Sequence, residues 1–209
     1  QTLYKSPGFD ALKDFEPISR LSRIAALLVV RPGLQVNSMR ELLSVLKKNP
    51  GKFTFASAGN GTTSHLAGET LKAQAGVSAV HIPYRGGGAA ITDVLADRID
   101  FMIDVMPNTA PMVRSGRLRG LAVSTLQRVN SMPDIPTIAE SGVPGFDVSA
   151  WDAVFAPSST PTAIVEKIGQ AVNKVLADEA LKQQLLSRGA EASPTNSAAL
   201  RTFVQSEVD

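Results

Sequence analysis

Ser57-Ala58-Gly59-Asn60-Gly61-Thr62-Thr63-Ser64-His65-Leu66-Ala67-Gly68-Glu69 follows a short apolar run, Phe53-Thr54-Phe55-Ala56, and leads into a helical segment that ends near Gly76. A loop of glycines, one Asn and several hydroxyls therefore stands where a strand hands over to a helix. The first N–H groups of a helix have no internal partner, and the helix dipole concentrates partial positive charge there. Backbone groups alone can bind an anion at such a place. Gly59 and Gly61 allow positive φ and close approach of a ligand. Asn60, Thr62, Thr63 and Ser64 add side-chain donors. Each hydrogen bond to a charged group contributes about 1.5–3 kcal/mol, so three or four hold one carboxylate without an arginine. The bland alternative is a plain helix cap after a glycine turn.

Outward from this loop the chain alternates strand and helix. Phe15 to Arg31 is extended and stops at Pro32-Gly33. Ser38-Met39-Arg40-Glu41 is a capping box, with Met39, Leu42, Leu43 and Leu46 at helical spacing and Asn49-Pro50-Gly51 as the stop. After the loop helix, Val77 to Pro83 is extended. Arg85-Gly86-Gly87-Gly88 opens a helix over Ala89 to Asp97, and Phe101, Ile103 and Val105 mark a strand. Pro107 starts a short helix that Gly116 ends, and Leu118 to Ser124 is a strand. Short connections in this order predict an α/β fold with a mainly parallel sheet and helices on both faces.

Beyond Ser124 prolines punctuate a looser segment around an expected short helix, Thr137 to Ser141. Phe146 to Pro157 is a long strand with the single tryptophan, Trp151, expected to pack. Thr160 is the expected N-cap of an amphipathic helix that begins at Pro161. Helices over Asp178 to Arg188 and from about Ser197 follow. Three helices with apolar faces beside one strand leave this part in want of a partner sheet.

With 44% hydrophobic and 19% charged residues, the 209-residue chain has material for a sizeable core. A net charge of +2 with scattered basic residues argues against nucleic acid. No cysteine is present, and the only two histidines, His65 and His81, lack metal-ligand spacing, so no metal and no cofactor is expected. No run approaches the ~18 apolar residues of a membrane span, and Gln1 to Lys5 lacks the apolar core of a signal peptide.

Other residues gather at the same strand ends. Ser57 is expected to face a ligand, because ligands of open α/β sheets lie beyond strand C-termini; a plain surface serine is the equal alternative. Gly86 and Gly87, with Gly88, form a second helix start and offer a second anion contact or close packing. Tyr84 offers its ring or hydroxyl to a ligand, or belongs to the core. Asp104 is expected to fix a loop by accepting backbone N–H bonds, with a ligand amine as the alternative. His65 is expected to orient the loop. No GxSxG or GxxxxGK[ST] motif is present, and no nucleophile–base–acid set accompanies His65, so no catalytic residue is expected.

Phe53 to Glu69 resembles the signature loop of the tripartite tricarboxylate transporter receptors, the Bug-type solute-binding proteins. His81-Ile82-Pro83-Tyr84-Arg85-Gly86, the Ile103-Asp104 strand end, Leu118 to Ser124, Met132 to Gly142, Pro144-Gly145-Phe146 and the Trp151 strand are similar in order. The resemblance implies a type II periplasmic-binding-protein-like fold with two α/β lobes and a ligand between them. It implies a connector over 1–20, the second lobe over 21–125, and over 126–209 the return crossover and C-terminal helices of the first lobe. The N-terminal half of that first lobe, with its Pro-Gly-Gly wall, is expected to lie outside this sequence, and association with another chain would replace it. The function implied is a periplasmic receptor for small carboxylates (a di- or tricarboxylate, an acidic amino acid or an aromatic acid) that serves membrane transporter subunits without being membrane-embedded. The alternatives are a ligand-sensing domain of a transcription regulator, or a small-molecule enzyme.

Overall fold

Six consecutive apolar residues, Ala25 to Val30, set the architecture of the larger part of the chain. Side chains on a strand alternate between faces, so an unbroken apolar run suits a strand covered on both sides. The computed structural model, which describes residues 8–208, places them in the second half of strand β1 (Phe15–Val30), where Ala26 to Val30 are fully buried. Ala26, Leu28 and Val30 join one core cluster, and Ala25, Leu27 and Val29 join another on the opposite face.

The chain divides into two compact units, residues 24–150 and residues 1–23 with 151–209. In the larger unit the strand order is β3 (Val80–Pro83), β2 (Thr54–Ser57), β4 (Phe101–Val105), β1, β5 (Arg119–Val123). β2 pairs in parallel with β3 and β4, whereas β1 pairs antiparallel with β4 and β5. Four strands thus run one way and β1 runs against them. The mainly parallel sheet is as expected, with β1 the exception.

Helices α1 (Met39–Lys48) and α2 (Thr63–Ala75) supply Leu42, Leu46, Ala67 and Leu71 to the first cluster. Helices α3 (Gly87–Leu95) and α4 (Met106–Arg114) supply Ile91, Val94, Met106 and Ala110 to the second. Because β2, β3 and β4 point the same way, their C-terminal ends, and the starts of α2, α3 and α4, gather at one edge of the sheet.

Residues 126–150, expected to begin the return of the chain, belong to the compact unit of 24–150. Ser124 donates to the Val148 carbonyl at 2.5 Å and accepts from Ala26 N–H at 2.9 Å, while Ile138, Val143 and Phe146 enter the first core cluster. The short helix expected over Thr137 to Ser141 is a turn instead. Thr137 and Glu140 exchange the bonds of a capping box, at 2.7 and 2.9 Å, but Gly142 at φ +116° ends it after one turn. The extended run from Val77 is strand only from Val80.

The smaller unit contains the first half of β1, β6 (Ser149–Pro157), α5 (Thr162–Leu176), α6 (Glu179–Ser187), β7 (Ala190–Ala192) and α7 (Ser197–Val208). β6 and β7 both pair with β1. Pro161, with ψ 137°, is the N-cap of α5, so the helix starts one residue later than expected. Trp151 donates its indole N–H to Glu207 at 3.0 Å and packs edge-on against Phe203. The core is small: Ile18, Ala156 and Val165, with Val154 against them. On α5, Ile164, Ile168 and Val175 stay 47%, 37% and 59% exposed.

Candidate functional site

The loop between β2 and α2 is braced by its own side chains. Gly59 and Gly61 take φ of +132° and +79°, values that a side chain would strain. The Ala58 N–H donates to Ser64 Oγ at 2.8 Å, and Thr62 Oγ1 donates to the Gly59 carbonyl at 2.7 Å. The Gly59 N–H donates to Ser57 Oγ at 3.1 Å, and the Gly61 N–H to His65 Nδ1 at 3.1 Å. The loop after β3 is tied to it: Tyr84 N–H donates to the Ser57 carbonyl and Gly86 N–H to the Ala58 carbonyl, at 3.0 and 3.1 Å. A Cβ on Gly59 would stand 3.2 Å from the Tyr84 carbonyl oxygen.

These bonds decide which hydroxyls turn inward and which stay at the surface. Ser57 and Ser64 are 0% and 1% exposed and point into the loop. They are supports rather than donors at a surface. Asn60 is exposed, and Thr62 and Thr63 are half-buried. Thr62, the N-cap of α2, makes no side-chain cap bond, and no acidic residue stands in the first turn. The first-turn amides thus have neither an intrahelical partner nor a carboxylate of their own turn.

The start of α3 differs. Its N-cap Gly86, at φ +109°, also lacks a side-chain bond, but a protein carboxyl faces the helix there. A Cβ on Gly87 would come within 2.5 Å of Asp104 Oδ2 and 2.7 Å of Asn108 Nδ2. Asp104 is 3% exposed and accepts from Asn108 at 2.8 Å. Burial raises its carboxyl above the usual range, against the hydrogen bonds from Asn108 and the Val105 backbone. The expected second anion contact is thus beside a buried acid.

Tyr84 directs its hydroxyl to Asp93 at 2.7 Å, and Asp93 pairs with Arg98 at 2.9 Å. Burial first, and then that bond, push the phenol up to about 12. Arg85 is exposed.

His81 carries a role that the sequence reading did not assign. Its Nε2 lies 2.6 Å from Ser57 Oγ, and its ring stacks between Phe55 and His65 with centroids at 4.8 and 4.2 Å. Burial chiefly, then His65, lowers its pKa, with Glu69 opposing and Lys72 adding. No signal in the sequence joins His81 to Phe55; the parallel register of β2 with β3 sets Phe55 opposite His81. A serine beside a histidine resembles a catalytic pair, but full burial of Ser57 keeps substrate from its oxygen. Among the described residues no three potential metal ligands converge, and no helix is long and apolar enough to cross a membrane.

Comparison with known proteins bears on this arrangement. The family described as "Tripartite tricarboxylate transporter family receptor" matches residues 2–209. A protein from the tcbD–tcbE intergenic region of Pseudomonas sp. (strain P51) is 40% identical over 185 residues, which are 86% of this chain and 55% of that protein. Rpa4515 of R. palustris, solved with adipate, superposes with a TM-score of 0.93 at 32% identity, over 98% of this chain and 69% of that one. The periplasmic binding protein BugD gives 0.90 at 36% identity, over 98% and 69%. MatC of Rhodopseudomonas palustris, with bound malate, gives 0.88 at 29% identity, over 99% and 71%. The chain spans little more than half the length of the curated relative and about two-thirds of the solved ones. It belongs to the tripartite tricarboxylate transporter receptor family and has the α/β fold of that family's periplasmic binding proteins.

Proposed function

We propose that this chain is part of a periplasmic receptor that binds a small carboxylate and delivers it to the membrane subunits of a tripartite transporter. One carboxylate group sits at the start of α2, against the first-turn amides and the Thr63 side chain, with Asn60 and Thr62 at its rim. Gly59 and Gly61 give the loop its shape. Ser57, Ser64 and His65 stand behind it. Gly86, Gly87, Tyr84 and Asp104 form the neighbouring wall, where the buried carboxyl of Asp104 disfavours a second ligand anion and favours a ligand hydroxyl or amine.

The observation that carries this reading is the uncapped start of a 13-residue helix at the C-terminal edge of the sheet. The adipate and malate bound by the family members named above are small dicarboxylates and support the choice of anion. Calorimetric titration with malate, adipate and the uncharged adipamide tests it. At least one dicarboxylate should bind, and adipamide should not. Gly61→Val, which puts a β-branched residue at positive φ, should weaken binding by about tenfold or more, the equivalent of 1.4 kcal/mol. Unchanged affinity in Gly61→Val, or no carboxylate binding at all, would overturn the assignment.

A further inference from the structure

His65 and His81 hold the two sides of the glycine turn. A backbone amide can only donate, so the 3.1 Å bond from Gly61 N–H requires a lone pair on His65 Nδ1. An imidazolium has N–H on both nitrogens and cannot accept that bond. Behind His65, at 4.2 Å and nearly parallel, lies His81, bonded through Nε2 to the fully buried Ser57 that holds Gly59 N–H.

Few charges surround the pair. α2 brings Glu69 and Lys72, already paired with each other at 2.8 Å, and the Lys72 ammonium stands 5.5 Å from the Phe55 ring centroid. β2 contributes Thr54 to Ser57, none of them ionisable at neutral pH, and β3 contributes His81 itself. The one acid of β4, Asp104, is turned to Gly87 and Asn108. A proton added to His81 meets the His65 ring and Lys72, with Glu69 opposing them.

We propose that His65 is a positioning residue and a proton-sensitive brace: the anion loop keeps its receptive shape only while His65 is neutral, so the protein lets go of its carboxylate in acid. This rests on the carboxylate-receptor reading above. Protonation of His65 sets N–H against N–H at Gly61, frees the turn and misaligns the start of α2. Burial of His81 opposes a charge on it, and its bond to Ser57 holds the Gly59 side of the turn.

The test is calorimetry with malate and adipate from about pH 8 to about pH 5.5, the span in which imidazoles titrate. The unaltered protein should lose at least about fivefold in affinity, the equivalent of one net backbone hydrogen bond. His65→Asn, whose amide oxygen replaces Nδ1 as an acceptor that does not titrate, should bind within about twofold of its pH 8 value throughout. His65→Leu should bind weakly at every pH. A shared profile for the unaltered protein and His65→Asn would overturn the proposal. A readout without ligand separates this from failure of the receptor reading. The Gly61 amide should lose exchange protection, relative to its neighbours, as His65 protonates, and should not do so in His65→Asn. If no carboxylate binds, that amide still decides: protection that ignores pH in the unaltered protein refutes the brace.

Discussion

The starts of α1 and α2 show two ways for a chain to begin a helix. At α1 the Ser38 hydroxyl accepts the Glu41 N–H at 3.2 Å, and the Glu41 carboxylate reaches back to the Asn37 N–H at 2.7 Å. A side chain caps the helix and an acid faces its dipole, which disfavours an anionic ligand there. At α2 the side chains of Ser64, Thr62 and His65 turn back onto Ala58, Gly59 and Gly61. They stiffen the loop and leave the helix start uncapped. Each start has a hydroxyl residue at its N-cap, Ser38 or Thr62; the direction of the bonds makes one start capped and leaves the other open.

The contrast can be broken most severely at Gly68. A Cβ there would lie 2.2 Å from the Phe55 ring, which is fully buried against His81 and Phe101. Alanine favours a helix over glycine by about 1 kcal/mol, but the overlap with a ring that cannot retreat costs more. Gly68→Ala should lower stability by about 3 kcal/mol in denaturant titrations, the upper end for overpacking, and should move the uncapped start of α2. A neutral or stabilising result would mean that the helix does not lie against β2 as described.

Single caps distinguish the two starts further. Ser64→Ala leaves the Ala58 N–H without its acceptor, at a cost of about 1–3 kcal/mol, and should weaken malate or adipate binding as well. Ser38→Ala removes an ordinary N-cap, worth about 1 kcal/mol, and should leave carboxylate affinity unchanged. Equal effects of the two variants on binding would erase the distinction.

The smallest expected effect is on stability in mild acid. His81 has a folded pKa below its unfolded value near 6.5, so the unfolded chain takes up a proton first. Its contribution is present above about pH 6.5 and is lost as pH falls from there through the lowered folded value. The unfolding midpoint should drop over that window, and His81→Phe, which keeps the ring stack, should flatten the drop. An unaltered slope would show that His81 is solvated.

Local signals were legible wherever physics acts within a few residues. The Ser38–Glu41 box starts α1, and Gly76 closes α2 in the left-handed conformation at φ +61°. The same logic failed at Thr137, where a capping box is followed by Gly142 and by pairing of Thr137 with Val123, which draws the segment into the sheet. Asn60, Gly61 and Thr63 could be placed in the loop between β2 and α2 from sequence. The inward turn of Ser57 and Ser64 could not, since a hydroxyl chooses its partner from whatever the fold brings near. His81 lies 24 residues from Ser57, and only the pairing of β2 with β3 joins them.

The sequence by itself determined that a glycine turn with positive φ precedes a helix start, that the chain alternates strand and helix, and that β1 must be covered on both faces. Propensity, capping and side-chain period act locally, so one dimension suffices to read them. Tertiary structure alone decided that β1 runs against its neighbours, that Asp104 stands at the start of α3, and that two distant histidines stack behind the glycine turn. Strand register and the burial of polar groups depend on residues far apart in the chain, and their energies exist only once those residues meet.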